Sequence, residues 1–268
     1  MIDLSAYFDR IGYSGPREAS LTVLRQLHGL HPVAIPFENL DPFLGRPVSL
    51  DLEHLQGKLV AGGRGGYCFE QNLLFKAVLE ELGFTLTTLA ARVVWMMAPD
   101  APPNPRAHLL LKVDTDEGPH LADVGFGGYL FSAPLKFVPG LEQKTPGGLL
   151  NIAASDGAFT MRAFLDGGWR AVYRFTSEPQ FPIDHVVANW FTSTHPESRF
   201  RKNLMIQRVT EFGRVSLLNR KLTRRKAAGN VESVILGSPA ELGQALSNDF
   251  QLPLPQELDS IFVRLPKE

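Results

Sequence analysis

Cys68 is the only cysteine among the 268 residues, and its neighbours could make it reactive. The run Gly-Gly-Arg-Gly-Gly at 62–66 breaks regular structure just before it. Apolar residues then recur at helical spacing up to Gly83, so Cys68 is predicted to lie at a helix N-terminus. Unpaired N–H groups and the helix dipole favour the thiolate there, and the thiolate is the nucleophilic form. Cys68 is therefore a candidate nucleophile, and the alternative is a buried packing cysteine.

A histidine and an aspartate follow in an order that suits covalent catalysis. His108 begins one strand pattern, Asp123 ends the next, and polar residues around 116 predict a hairpin that places the two nearly opposite. The carboxylate would orient the imidazole, which could then take the proton of Cys68. A strand histidine bound to a carbonyl and a turn aspartate are the structural alternatives, and His195 is a competing base.

Three successive stretches with different residue patterns predict the elements that position these residues. Residues 1–83 are mostly helical and carry the nucleophile. Residues 84–180 contain β-branched and aromatic runs typical of an antiparallel sheet or small barrel, and they carry the histidine and aspartate. Residues 181–268 mix helix and strand patterns and form a third, α/β segment. Helix followed by sheet is also the order of papain-like enzymes.

Composition narrows the function classes. With 27 basic and 28 acidic side chains, the net charge of −1 provides no general attraction for nucleic acid or anionic lipid, so we expect neither partner. The N-terminus does not resemble a signal peptide and no stretch is apolar enough to span a bilayer, which favours the cytoplasm. One cysteine excludes an internal disulfide and a Cys-rich zinc site, and we expect no metal.

Longer motifs surround the candidate residues. RGGYCFEQN at 64–72 contains the cysteine, and the others are IPFENL at 35–40, RAH at 106–108, DVGFGG at 123–128 and NWFTSTHP at 189–196. In these motifs, their order and their approximate spacing, the sequence resembles the arylamine N-acetyltransferases, and the likeness spans most of the chain.

The resemblance implies a fold and a reaction. It implies an α+β protein with an N-terminal helical bundle, a central antiparallel β-barrel and a C-terminal α/β lid. It also implies acetyl-CoA as co-substrate and small arylamines or arylhydrazines as acceptors. The expected cycle is ping-pong, through an acetyl-Cys68 intermediate with His108 moving protons and Asp123 ionised throughout.

Substrate contacts are predicted at two sets of residues. Phe37 and Phe126 are candidates to hold the aromatic ring, and core packing is their alternative interpretation. Gly125, Gly127 and Gly128 could let backbone amides approach the coenzyme, although a turn at the hairpin exit explains them equally well.

Two rival functions use the same residues. A papain- or transglutaminase-type hydrolase would pass the acyl group to water or to a peptide amine. A non-enzymatic small-molecule binder would keep the fold with an inert or oxidised Cys68.

The sequence does not determine the oligomeric state. An ion pair between Arg64 and Glu38 would hold the loops beneath the nucleophile, whereas a solvated Arg64 is the alternative.

Overall fold

The computed structural model describes residues 1–98, 100–128, 133–210, 213–226 and 230–266. The part of the chain before the large sheet is mostly helical. Its helices are α1 (Leu4–Ile11), α2 (Leu21–Ala34), α3 (Leu40–Leu44), α4 (Leu52–Leu55, continued by a π-helical segment Gln56–Ala61) and α5 (Cys68–Glu81), and β1 (Phe37–Glu38) lies between α2 and α3.

Helix α5 forms the centre of this part. It begins after the glycine-rich turn, and the Glu70 carboxylate accepts the Tyr67 N–H at 3.0 Å, which satisfies a donor left open at the helix start. Leu74, Phe75 and Val78 are fully buried. Burial of such side chains stabilises the fold by about 1.5–3 kcal/mol each, so packing fixes the helix and the residue at its start.

An eight-stranded antiparallel sheet follows and curves into a nearly closed barrel. Its order is β5-β4-β3-β2-β9-β8-β7-β6. The strands are β2 (Leu86–Val93), β3 (His108–Thr115), β4 (Gly118–Ala122), β5 (Leu135–Lys136), β6 (Gln143–Thr145), β7 (Gly148–Ser155), β8 (Ala158–Leu165) and β9 (Gly168–Phe175).

The remaining elements form a second sheet with helices. Helices α6 (Pro182–Thr194) and α7 (Arg199–Lys202) precede β10 (Met205–Thr210), β11 (Gly213–Leu218), β12 (Lys221–Lys226) and β13 (Val231–Ile235); α8 (Pro239–Gln244), a π-helical segment (Ala245–Asp249) and α9 (Leu258–Arg264) complete it. The sheet order is β1-β10-β11-β12-β13, so β1 from the helical part joins this sheet.

The α+β class with an antiparallel barrel, predicted from sequence, is confirmed. The division at 83/84 and 180/181 stays a prediction. No helix within the described residues is both long and apolar enough to traverse a bilayer. Within the described residues, one apolar cluster joins the helices to β3 and β4, a second joins α3 to the second sheet and its helices, and a third fills the barrel. Cys68, Ile206 and Phe126, one from each cluster, line a common cavity.

Candidate active site

Cys68 lies at the first position of α5 and is 3% exposed. The turn before it requires glycine: a Cβ on Gly65 would lie 2.1 Å from the carbonyl oxygen of Pro36. This close approach brings β1 against the start of the helix, where Phe37 and Gly66 form a parallel bridge. The Cys68 thiol faces the barrel, and its Sγ lies 3.7 Å from the carbonyl oxygen of Ala107.

The predicted histidine and aspartate meet on the barrel side of Cys68. His108 begins β3, Asp123 directly follows β4, and His108 Nε2 lies 2.7 Å from Asp123 Oδ2. Both side chains are 3% exposed. The hairpin is present, but the two residues are not directly opposite each other: Leu111 pairs with Ala122, so the register is offset and the carboxylate reaches His108 diagonally.

Asp123 is held by groups from two helices and from the loop that follows β4. Its Oδ1 accepts the Asn72 side-chain amide and the Gly125 N–H, each at 3.1 Å. Its backbone N–H donates to Nε2 of the buried His28 at 3.1 Å. Asn72 also donates to the Leu109 carbonyl at 2.7 Å. The carboxylate therefore has a fixed orientation, with its second oxygen left for the histidine.

These contacts determine the charge of the pair. Burial acts to lower the pKa of His108, but the Asp123 charge and hydrogen bond, together with the neighbouring Cys68 sulfur acting as an acceptor, outweigh it and raise the pKa from 6.5 to about 10. Burial acts to raise the pKa of Asp123, but His108, Asn72 and the Gly125 amide lower it overall. The pair is consequently an imidazolium and a carboxylate at neutral pH.

Two aromatic rings enclose His108. The Phe126 ring lies 5.2 Å from the imidazole, edge to face, and the Tyr173 ring lies 5.1 Å from it. The Tyr173 hydroxyl interacts with Asp123, and burial together with that negative charge raises the pKa of Tyr173. Such packing restricts rotation of the imidazole and excludes water from the ion pair.

The glycines predicted to contact the coenzyme, Gly125, Gly127 and Gly128, line a cavity together with Cys68 and His108. A Cβ on Gly125 would lie 2.8 Å from Cys68 Cα, and one on Gly127 would lie 2.4 Å from the Phe37 ring. One on Gly128 would lie 2.8 Å from Trp95. Close packing is therefore one reason for glycine at these positions, and their contact with coenzyme stays a prediction.

A cavity of about 540 Å³ opens above the thiol. Cys68 and His108 lie in its wall with Phe37 and Phe126, the two phenylalanines predicted to contact substrate. Both rings are almost completely buried, at 2% and 3% exposure, so each also packs in a core. Seven of the eight predicted site residues therefore line this cavity. The eighth, Asp123, lies behind His108 and contacts it without lining the cavity.

A buried charge network lies beneath the start of α5. Arg64 contacts Glu38 at 2.6 Å and Asp41 at 3.2 Å, which confirms the predicted Arg64–Glu38 pair. Lys58 contacts both Asp41 and Glu70 at 2.6 Å. Burial and the neighbouring Glu38 outweigh Lys58 and raise the pKa of Glu70 to about 7.

Other candidates lie outside the triad of Cys68, His108 and Asp123. His195, the competing base, directly follows α6, stacks on Phe191 with ring centroids 4.6 Å apart and does not line the cavity, so His108 is the histidine that shares the cavity wall with Cys68. Sequence reasoning missed Asn72, although its spacing of four residues from Cys68 places both on one helix face.

In the described part of the chain, no cluster of three or more His, Cys, Asp or Glu residues could hold a metal.

Known proteins have similar sequences. An N-acetyltransferase family model matches residues 20–258. The arylamine N-acetyltransferase of Mycobacterium tuberculosis H37Rv is 40% identical over 277 aligned residues, which cover 99% of this chain and 98% of that protein. The chain belongs to the arylamine N-acetyltransferase family.

Solved structures of this family have the same fold. The Mycobacterium smegmatis arylamine N-acetyltransferase superimposes with a TM-score of 0.94 at 38% identity, covering 99% of each chain. The Mycobacterium marinum arylamine N-acetyltransferase, solved in complex with CoA, gives a TM-score of 0.94 at 37% identity and covers 99% of this chain and 100% of that one. Family membership makes the chain an acetyltransferase and confirms the resemblance of its motifs.

Proposed function

We propose that the chain transfers the acetyl group of acetyl-CoA to the nitrogen of arylamines or arylhydrazines through an acetyl-Cys68 intermediate. The observation that carries the proposal is the placement of Cys68 at a helix start and in the same cavity wall as His108, with His108 bound at 2.7 Å to a buried Asp123. The CoA complex of the M. marinum relative supports the donor.

In the first half-reaction, the Cys68 thiolate attacks the acetyl thioester. A bond forms between Sγ and the carbonyl carbon, the bond to the coenzyme sulfur breaks, and the His108 imidazolium gives its proton to the departing thiolate. The Cys68 backbone N–H lies in the first helical turn, where N–H groups lack intrahelical partners, so it could stabilise the oxyanion. Asp123 remains ionised throughout, orients the imidazole of His108 and stabilises its imidazolium form.

In the second half-reaction, the acceptor nitrogen attacks the acetyl-cysteine. The new carbon–nitrogen bond replaces the carbon–sulfur bond, and His108 takes the proton that the nitrogen loses. An arylamine suits this site because its nitrogen is uncharged at neutral pH and its ring can contact the apolar cavity wall formed by Phe37 and Phe126. Water is the rival acceptor, as in the papain- and transglutaminase-type hydrolases.

The cavity accommodates a thioester arm next to the thiol. Gly125, Gly127 and Gly128 present backbone without side chains along its wall, where a coenzyme arm could approach closely. We keep the cytoplasm as the proposed compartment because the only cysteine is needed as a reduced thiol.

Initial-rate kinetics test this function. With acetyl-CoA and 4-aminobenzoate varied together, a ping-pong enzyme gives parallel double-reciprocal lines, whereas a sequential mechanism gives intersecting ones. Cys68→Ser and His108→Asn should abolish product formation, while His54→Asn, at an exposed helix position, serves as the matched histidine control. Release of CoA at the same rate with and without amine would instead support the hydrolase.

A further inference from the structure

A polar pair lies on the sheet that covers the cavity. Gln207 of β10 is directly paired with Ser216 of β11, and the other strand neighbour of Gln207 is Phe37 of β1. Both polar residues line the cavity that contains Cys68. Phe37 links this pair to the site, because its ring packs closely against Gly127.

Side-chain alternation along β10 and β11 separates this pair from the core. Ile206 and Leu217, one residue away on each strand, pair with each other and belong to the apolar core of the second sheet. Successive side chains of a strand point to opposite faces, so Gln207 and Ser216 lie on the face opposite this core, although Ile206 and Leu217 also contribute to the cavity wall. The adjacent pair on that face, Met205 and Leu218, is apolar.

The Gln207 side chain makes no hydrogen bond among the described residues, and the residue is only 3% exposed. Its amide atoms are not among the enclosed unpaired atoms of that part of the chain, so they are accessible from the cavity, where the two donors and the acceptor of a primary amide can be used. The Ser216 hydroxyl also has no partner in the described ranges. The cavity wall therefore offers adjacent donors and acceptors that a bound molecule can use.

We propose that Gln207 and Ser216 form a hydrogen-bonding subsite for a carboxamide group of a bound substrate. A carboxamide presents an N–H donor beside a carbonyl acceptor, which complements the amide of Gln207 and the hydroxyl of Ser216. The proposal rests on the proposed function for its substrates. Two of them supply this chemistry: the amides in the pantetheine arm of coenzyme A, and an arylamine that carries an amide substituent.

Binding measurements test the subsite independently of acetyl transfer. Dissociation constants of coenzyme A, 4-aminobenzamide and 4-methylaniline are measured by calorimetry for the wild type and Gln207→Leu, which keeps the side-chain size but removes the amide. Loss of one neutral hydrogen bond should weaken binding of the amide-bearing ligand roughly three- to tenfold. The affinity for 4-methylaniline, which has no amide, provides the reference for each variant.

Two further variants complete the design. Gln26→Leu makes the same change at an exposed position of α2 and should leave all three dissociation constants unchanged. Ser216→Ala removes only a hydroxyl and should weaken the same ligand as Gln207→Leu, which separates a lost contact from a folding defect in either variant.

The ligands distinguish the two sources. Weaker binding of coenzyme A identifies the pantetheine arm as the occupant, and weaker binding of 4-aminobenzamide relative to 4-methylaniline identifies the acceptor. Unchanged affinity for both amide-bearing ligands in Gln207→Leu and Ser216→Ala would overturn the proposal. Altered binding in a protein that never forms acetyl-Cys68 would retain the subsite and reject the proposed function.

Discussion

Asp123→Asn should remove the charge that keeps His108 protonated. The two buried side chains meet at 2.7 Å, and the pKa of His108 rises from 6.5 to about 10 in this environment. That rise corresponds to roughly 5 kcal/mol, because a tenfold change in a protonation equilibrium is worth about 1.4 kcal/mol. Asparagine has nearly the shape of aspartate, so the charge is the main change.

The size of the effect follows from burial. Burial is the largest influence on His108 and acts to lower its pKa, so without the carboxylate charge we expect a pKa of 6.5 or below. At about pH 7.5, no more than roughly one tenth of the molecules would then carry the imidazolium. If the Cys68 thiolate depends on that cation, its alkylation rate should fall at least about tenfold.

Two assays measure this prediction. Nitrogen-15 NMR of the histidine rings follows the titration, with His108→Asn assigning the signal, and iodoacetamide labelling gives the Cys68 rate. Asp114→Asn, at an exposed position of the same hairpin, is the matched control. The reasoning would be refuted by a His108 that still titrates above about pH 8 in Asp123→Asn, or by an unchanged alkylation rate.

The same pKa also predicts an effect on stability. The folded-state pKa of His108 lies above its unfolded value, so its stabilising contribution is fully present below pH 6.5 and is lost as the pH rises through about 10. Urea unfolding at a series of pH values should show this alkaline loss in the wild type. The loss should be absent from Asp123→Asn.

Three further predictions concern the residues around the triad. Asn72→Ala should lower the free energy of unfolding by roughly 1–3 kcal/mol for each buried group that it leaves unpaired, and an unchanged urea midpoint would contradict this. Gly125→Ala should shift α5 and slow Cys68 alkylation, since its Cβ would lie 2.8 Å from Cys68 Cα; wild-type labelling would exclude this clash. The pKa of Glu70 is raised from 4.5 to about 7, so the stabilising contribution of Glu70 is fully present below pH 4.5 and is lost as the pH rises through 7. The free energy of unfolding should fall by about 3 kcal/mol over this range, and Glu70→Gln should abolish that pH dependence. A pH dependence that persists in Glu70→Gln would point to another group.

Local signals were sufficient to predict the main parts of the site. Glycines followed by a helical pattern place Cys68 at a helix start, and the hairpin between β3 and β4 brings His108 close to Asp123. The register of that hairpin was not predictable from the pattern. Strand alternation fixes which face a residue occupies, whereas the offset between strands depends on the turn and on contacts such as those of Asn72.

Parts of the fold were hidden by composition. The segment Lys221–Lys226 is mostly basic, a composition typical of a solvated surface rather than of a strand inside a sheet. It nevertheless forms β12, because pairing with β11 and β13 supplies its backbone hydrogen bonds. Long-range partners are equally invisible in sequence. Gln207 lies far from Phe37 along the chain, and only the joining of β1 to β10 brings it to the cavity that contains Cys68.

The most direct test of acetyl transfer through Cys68 is the intact mass of the protein after brief exposure to acetyl-CoA without acceptor. The wild type should gain one acetyl group, Cys68→Ala should gain none, and the adduct should disappear as acetylated product forms when an arylamine is added. A folded protein with a reduced thiol that never acquires the acetyl group would contradict the proposed mechanism.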